Sequence, residues 1–142
     1  MAAALAVLRT MVRIADTTVK DITAELTLTQ FRALREVVER TPVTMIVVAQ
    51  ALGINPSSVT RACEKLAALG LLARAQNPLN KREILLAPTT RGRQVVEQVT
   101  DDRRAALARI LDRLDAETRA AVTTAFEDFA AASAAADRHP VA

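Results

Sequence analysis

Leu5, Leu8, Val12, Ala15, Val19 and Ile22 recur at three- and four-residue steps, a spacing that puts them on one stripe of a helix. A second helix is predicted from about Thr29, with Phe31, Leu34, Val37 and Val38 facing inward. It should end before Pro42, because the residue preceding a proline disfavours helical angles. Thr44 can cap a short third helix that runs to Leu52, and Gly53 ends it. Asn55 then offers a side-chain acceptor to an unpaired amide, and Pro56 suits the first position of a fourth helix reaching about Leu69.

Beyond Gly70 the pattern changes. LLARA (71–75) and EILLA (83–87) read as two short strands around the polar loop QNPLNKR. After Pro88 a long helix carries Val95, Val96, Val99, Ala106, Ile110 and Leu114, and a last helix from about Ala116 to Ala135 carries Val122, Ala125, Phe126 and Phe129. The tail ADRHPVA is expected to fray. This is a mainly α fold with one small β-hairpin. The terminal helices hold more apolar surface than a short central module can cover, which predicts burial against a second copy of the chain. A bundle of the three long helices within one chain is the alternative.

A length of 142 residues fits one domain with its own core. The single cysteine, Cys63, excludes an internal disulfide and any two-cysteine metal pattern, as in a reduced cytoplasmic protein. Arg9 and Arg13 interrupt the apolar start, which argues for an amphipathic helix over a signal peptide. No window approaches the roughly 20 apolar residues of a membrane span, so a soluble protein without a membrane partner is expected. Net charge is only +3, yet Pro56 to Arg93 holds seven basic residues against two acidic ones. A basic surface on a near-neutral body is the footprint of polyanion binding.

The chemistry of an enzyme is missing from the pattern. His139, the one histidine, lies in the tail, the chain has three glycines, and neither metal-ligand spacing nor a phosphate-cradling loop occurs. No catalytic residue, metal or cofactor is therefore assigned. Asp101, Asp102, Arg103 and Arg104 are read as exposed helix charges.

The stretch LGINPSSVTRACEKL (52–66) offers more. On a helical wheel Val59, Cys63 and Leu66 share one face; Ser57, Arg61 and Ala68 lie opposite, flanked by Ser58 and Lys65 on one side and Thr60 and Glu64 on the other. The outward face is small, hydroxylated and basic, which suits a major groove. Ala49, Gly53 and Val59 have helix-turn-helix spacing. The following loop, Asn80, Lys81 and Arg82, can reach the minor groove, whose negative potential attracts arginine. Cys63, turned inward, is expected to be a small core residue; the competing reading is a redox-sensing thiol.

ALGINPSSVTRACEKLAALGLLAR (51–74) followed by NKREILLAPTTRG (80–92) resembles the MarR family of winged helix-turn-helix transcriptional regulators. The resemblance rests on the SxVTR core of the recognition helix, the GLL-x-R strand ending at Arg74, the wing arginine Arg82, and Thr89 to Gly92 entering the long helix. It implies a homodimer that binds palindromic double-stranded DNA, usually as a repressor, and is released by a small-molecule effector. The expected organisation is a dimerisation helix (1–28), a winged helix-turn-helix (29–91) and C-terminal dimerisation helices (92–142). Ser57, Ser58, Thr60 and Arg61 would face base edges and nearby phosphates. Lys65, Arg74 and Lys81 would hold phosphates or orient the wing, and Arg82 would enter the minor groove.

Three departures stand out. Asn80 occupies a position where the family usually has aspartate, Met45 to Val48 is apolar where relatives mix in polar residues, and three phenylalanines are the only aromatics. The apolar stretch supports a rival reading, a winged-helix module that binds protein and touches DNA weakly or not at all.

Overall fold

The computed structural model describes residues 1–22 and 24–138; of the tail expected to fray, Ala136 to Arg138 continue the last helix, and the expectation for His139 and the residues after it lies outside the described ones. Six helices and three short strands follow in the order α1 (Ala2–Ile22), α2 (Leu28–Arg40), β1 (Val43–Thr44), α3 (Met45–Leu52), α4 (Pro56–Ala68), β2 (Leu72–Gln76), β3 (Ile84–Pro88), α5 (Thr90–Leu111) and α6 (Ala116–Arg138). They form two compact units, Met1–Arg103 and Arg104–Ala142.

In the first unit α2, α3 and α4 pack around Phe31, Leu34, Val37, Val48, Val59, Cys63 and Leu66. Val96 and Val99 of α5 and Val19 of α1 join this core. The helix starts follow from side-chain chemistry. The Thr27 hydroxyl accepts from the Gln30 amide (3.1 Å) while the Gln30 side chain accepts from the Thr27 amide (3.0 Å), a reciprocal cap for α2. Thr44 caps α3 and Asn55 caps α4, with Gly53 between them at φ 62°, a left-handed angle that favours glycine.

The expected two-stranded hairpin is a three-stranded antiparallel sheet, ordered β1-β3-β2, with Val43 opposite Leu86 and Arg74 on the other side of Leu86. β1 escapes sequence detection because two residues carry no periodicity. Both long strands begin one residue later than expected. The Leu71 amide is taken by the carbonyl of Leu66 (2.9 Å) in the closure of α4, and the Glu83 amide bonds the carbonyl of Asn80 (2.9 Å) within the loop.

Only part of the α1 stripe is buried. Ile14, Thr18 and Val19 pack inward, whereas Leu5, Leu8 and Val12 are about half exposed. Arg103 is not the exposed charge expected of it. Its guanidinium donates to the Thr18 hydroxyl (3.2 Å) and the Ala15 carbonyl (3.1 Å) and lies 4.9 Å from the centre of the Phe31 ring. One side chain of α5 thus ties α1 to α2. Burial and, less strongly, Arg35 lower its pKa.

The second unit contains the end of α5 and all of α6. Asp115 caps α6 by accepting from the amide (2.9 Å) and hydroxyl (2.8 Å) of Thr118, and these bonds hold its carboxyl below the ordinary range. Arg119 reaches back to the carbonyls of Leu111 (3.1 Å) and Leu114 (3.3 Å), closing the end of α5. Among the described side chains of this unit none is fully buried, and Phe126 and Phe129 are exposed.

Candidate nucleic-acid interface

α4 has the two-faced character its sequence foretells. Val59, Ala62, Cys63 and Leu66 are buried, and Ser57, Arg61, Glu64 and Lys65 are exposed. The Asn55 carbonyl oxygen of the side chain accepts from both the Ser57 amide (2.8 Å) and the Ser57 hydroxyl (2.7 Å). The cap therefore fixes the first turn of the helix and the Ser57 hydroxyl together. Thr60 departs from its expected outward position: it is half-buried, and its hydroxyl donates to the Pro56 carbonyl (3.0 Å) and meets the Met45 sulfur (3.7 Å). Ser58 is also half-buried. Met45 is half-buried and Val48 fully so, while Ile46 and Val47 on α3 remain exposed.

Cys63 has none of its surface exposed. Burial pushes its thiol up to about 11, Glu64 adds to the rise, and Arg74 only partly opposes it. A neutral, enclosed thiol is a core group and a poor nucleophile.

The wing is held by amides. Asn80 accepts the Arg82 amide on its side-chain oxygen (3.2 Å), a turn bond that an amide oxygen makes without a carboxylate. Gln76 donates to the Lys81 carbonyl (2.8 Å), and Asn77 donates to the Glu83 carboxylate (3.0 Å) while accepting the Leu79 amide (3.0 Å). Lys81 and Arg82 project from this frame into solvent, and Arg74 is exposed on β2. Lys20, Arg35, Arg40 and Arg119 are ion-paired, whereas Arg61, Lys65, Arg74, Lys81 and Arg82 show no carboxylate partner among the described residues.

A joint that sequence reasoning recognised only as a motif fixes this surface to α5. The Thr89 hydroxyl donates to the Gly70 carbonyl (2.7 Å) and accepts the Gly92 amide (3.0 Å), and the Thr89 amide donates to the Leu71 carbonyl (3.1 Å). Gly92 allows this approach because a Cβ there would collide with the Leu71 carbonyl oxygen. Arg91 adds a bond to the Leu69 carbonyl (3.3 Å). Beside the joint lies a cleft of about 340 Å³, lined by apolar Ile22, Leu69, Leu71 and Val95 and by polar Glu25, Arg91, Gln94 and Gln98.

A family model described as MarR family matches residues 24–83, which span α2 through the wing. The structure of RV1404 from Mycobacterium tuberculosis is 32% identical, with 93% of this chain and 90% of that chain aligned at a TM-score of 0.85. The chain belongs to the MarR family. The apo form of wild-type MarR from E. coli shares the fold at 21% identity, covering 89% of this chain and 93% of that one with a TM-score of 0.74. So does a mutant of MepR from S. aureus bound to an oligodeoxyribonucleotide, at 18% identity, 93% and 97% coverage and a TM-score of 0.73. No curated protein sequence matches this chain.

Members of the MarR family are transcriptional regulators rather than enzymes, and the winged helix is their DNA-binding element. Among the described residues no helix is long and apolar enough to cross a membrane, and no group of three or more His, Cys, Asp or Glu side chains could hold a metal ion.

Proposed function

We propose that this MarR-family chain is a homodimeric repressor that binds a palindromic operator and is released by a small ligand. The observation that carries the reading is the set of five exposed cations without carboxylate partners on α4 and the wing, all in one unit. Unpaired cations are free to displace counterions from phosphates, and that gives duplex binding its affinity. In this reading Arg61 contacts a base edge, Ser57, Ser58 and Thr60 line the same groove, Lys65, Arg74 and Lys81 hold phosphates, and Arg82 enters the minor groove. The inward hydroxyl of Thr60 leaves its methyl group as the part that faces DNA. That a structurally similar MepR mutant is bound to an oligodeoxyribonucleotide supports the assignment.

Residues 1–28 and 92–142 serve as dimerisation helices around the DNA-binding region 29–91. The exposed Leu5, Leu8 and Val12 on α1, and Phe126 and Phe129 on α6, support this role. A two-fold dimer would set its recognition helices about 34 Å apart, one turn of DNA. The 340 Å³ cleft supports an effector site: a ligand there would compete for the Arg91 side chain that bonds the Leu69 carbonyl just past α4. With no aromatic residue in its lining, an aliphatic ligand fits it better than a stacked phenolic one. The buried thiol disfavours a redox-sensing repressor.

Footprinting on the DNA around the chain's own gene tests the reading. Arg61→Ala should cost about 1–3 kcal/mol and relax one operator position, whereas Lys81→Ala should weaken all sequences alike and lower the salt slope by about 1. Unchanged affinity in Arg61→Ala refutes the recognition assignment. Exposed Ile46 and Val47 favour a second reading, a protein-binding module, which a lack of duplex binding at low salt would support.

A further inference from the structure

Leu79, at the tip of the wing, is 95% exposed. The other large apolar side chains left exposed among the described residues lie on helices, apart from the N-terminal Met1. The tip is also rigidly held. Pro78 restricts the backbone ahead of Leu79, the Leu79 amide donates to the Asn77 side chain (3.0 Å), and the Asn80 amide donates to the Asn77 carbonyl (3.3 Å). The leucine thus stands exposed on a hydrogen-bonded turn, immediately before Asn80, Lys81 and Arg82.

We propose that Leu79 is a specificity-determining residue that presses into the minor groove beside Arg82 and selects A·T pairs at that position. The inference rests on the wing being a DNA contact, and the neighbouring cations argue that the surface meeting this apolar tip is a polyanion. The selection has a simple cause. Guanine carries an amino group on the minor-groove floor, whereas an A·T pair presents only acceptors. An apolar tip cannot pair with that amino group and would bury it without a partner. Over A·T pairs no amino group lies beneath the leucine, and leucine is among the apolar side chains that minor-groove proteins press against base steps. A narrow A·T groove also strengthens the pull on Arg82. Attraction and discrimination would thus belong to two residues of the same loop.

The purified full chain is used to enrich duplexes from a randomised pool, and the base pair under the wing is located by footprinting. Affinity is then measured for duplexes with A·T, G·C or inosine·cytosine at that pair, inosine lacking the amino group. The wild type is expected to prefer A·T and inosine·cytosine over G·C by about tenfold. Leu79→Ala should bind all three within about twofold of one another, with its circular dichroism unchanged. Arg82→Ala should weaken all three. The proposal is overturned if Leu79→Ala keeps the wild-type preference or if the wild type shows none; either outcome leaves the DNA-binding reading intact. If no duplex is enriched, the DNA-binding reading itself fails and the proposal with it.

Discussion

Substituting Gly92 by alanine sets two effects of opposite sign against each other. Alanine in a helix is favoured over glycine by about 1 kcal/mol, so propensity alone predicts a more stable protein. The added Cβ, however, would overlap the Leu71 carbonyl oxygen and lie 3.1 Å from its carbon and 3.3 Å from Leu34 Cδ1. That oxygen cannot swing aside like the end of a flexible side chain, because it accepts the Thr89 amide (3.1 Å). Relief requires the first turn of α5 to move, which strains the Thr89 bonds to the Gly70 carbonyl and the Gly92 amide. Overpacking costs about 1–3 kcal/mol and one or two lost hydrogen bonds add about 1 each. After the propensity gain is subtracted, a net loss of roughly 1–4 kcal/mol remains. Urea unfolding followed by circular dichroism at fixed protein concentration would measure it. Gly70→Ala is the control: nothing lies within 4 Å of its Cβ, so only the left-handed angle, φ 72°, is penalised, by about 1–2 kcal/mol. A Gly92→Ala protein as stable as the wild type would refute the close-approach argument.

Arg103→Met should destabilise by about 2 kcal/mol through loss of two charged hydrogen bonds and the contact with Phe31, and Arg103→Lys should recover less than half of that because an ammonium lacks the planar fork. Thermal melts of both variants check this; a Met variant that melts with the wild type would discard the clamp. Cys63 should resist a thiol reagent in the folded chain and react at a rate set by unfolding, and rapid labelling would contradict its burial. Folding holds that thiol neutral, raising its pKa from 9.0 to about 11. The unfolded chain therefore loses its proton first, so the contribution is complete below about pH 9 and declines as pH rises towards 11. Urea midpoints across that range should fall less steeply for Cys63→Ala than for the wild type.

The parts of the fold that depend on neighbours in sequence were legible. Asn55 and Pro56 start α4, Gly53 closes α3, and the three-four spacing of Val59, Cys63 and Leu66 picks out the buried face. Contacts between distant segments were not. Thr89 stands out in the sequence only as part of the motif that enters the long helix, with nothing to say that its hydroxyl binds a carbonyl 19 residues away. Arg103 sits in a run of charges and differs from Arg104 only in having Thr18 and Phe31 beside it. Glu36, not singled out by the sequence, is buried and held by Arg40 at 2.8 Å and Arg35 at 3.6 Å. Thr60 lies on the flank of the recognition helix, where a wheel cannot say that Met45 will cover it. The apolar residues of α1 and α6 have periodicity yet stay largely exposed, and periodicity alone does not choose between dimer and bundle.

The two-residue strand β1 has a further consequence, for the order in which the DNA-binding unit opens. Its pairing of Val43 with Leu86 and Thr44 with Leu85 joins positions about forty residues apart and encloses α3, α4, β2 and the wing in one loop. Thr44 also caps α3, so releasing the strand frees the start of that helix at the same moment. Closure of so long a loop is an entropic cost that only the assembled core repays, and such contacts form late and open cooperatively. Amide protons of α4 should therefore exchange together with those of β1 and β3 as one unit, while the exposed outer turns of α1 and α6 exchange ahead of them. On this account α4 and the wing are held by the tie at their ends as well as by their own hydrogen bonds.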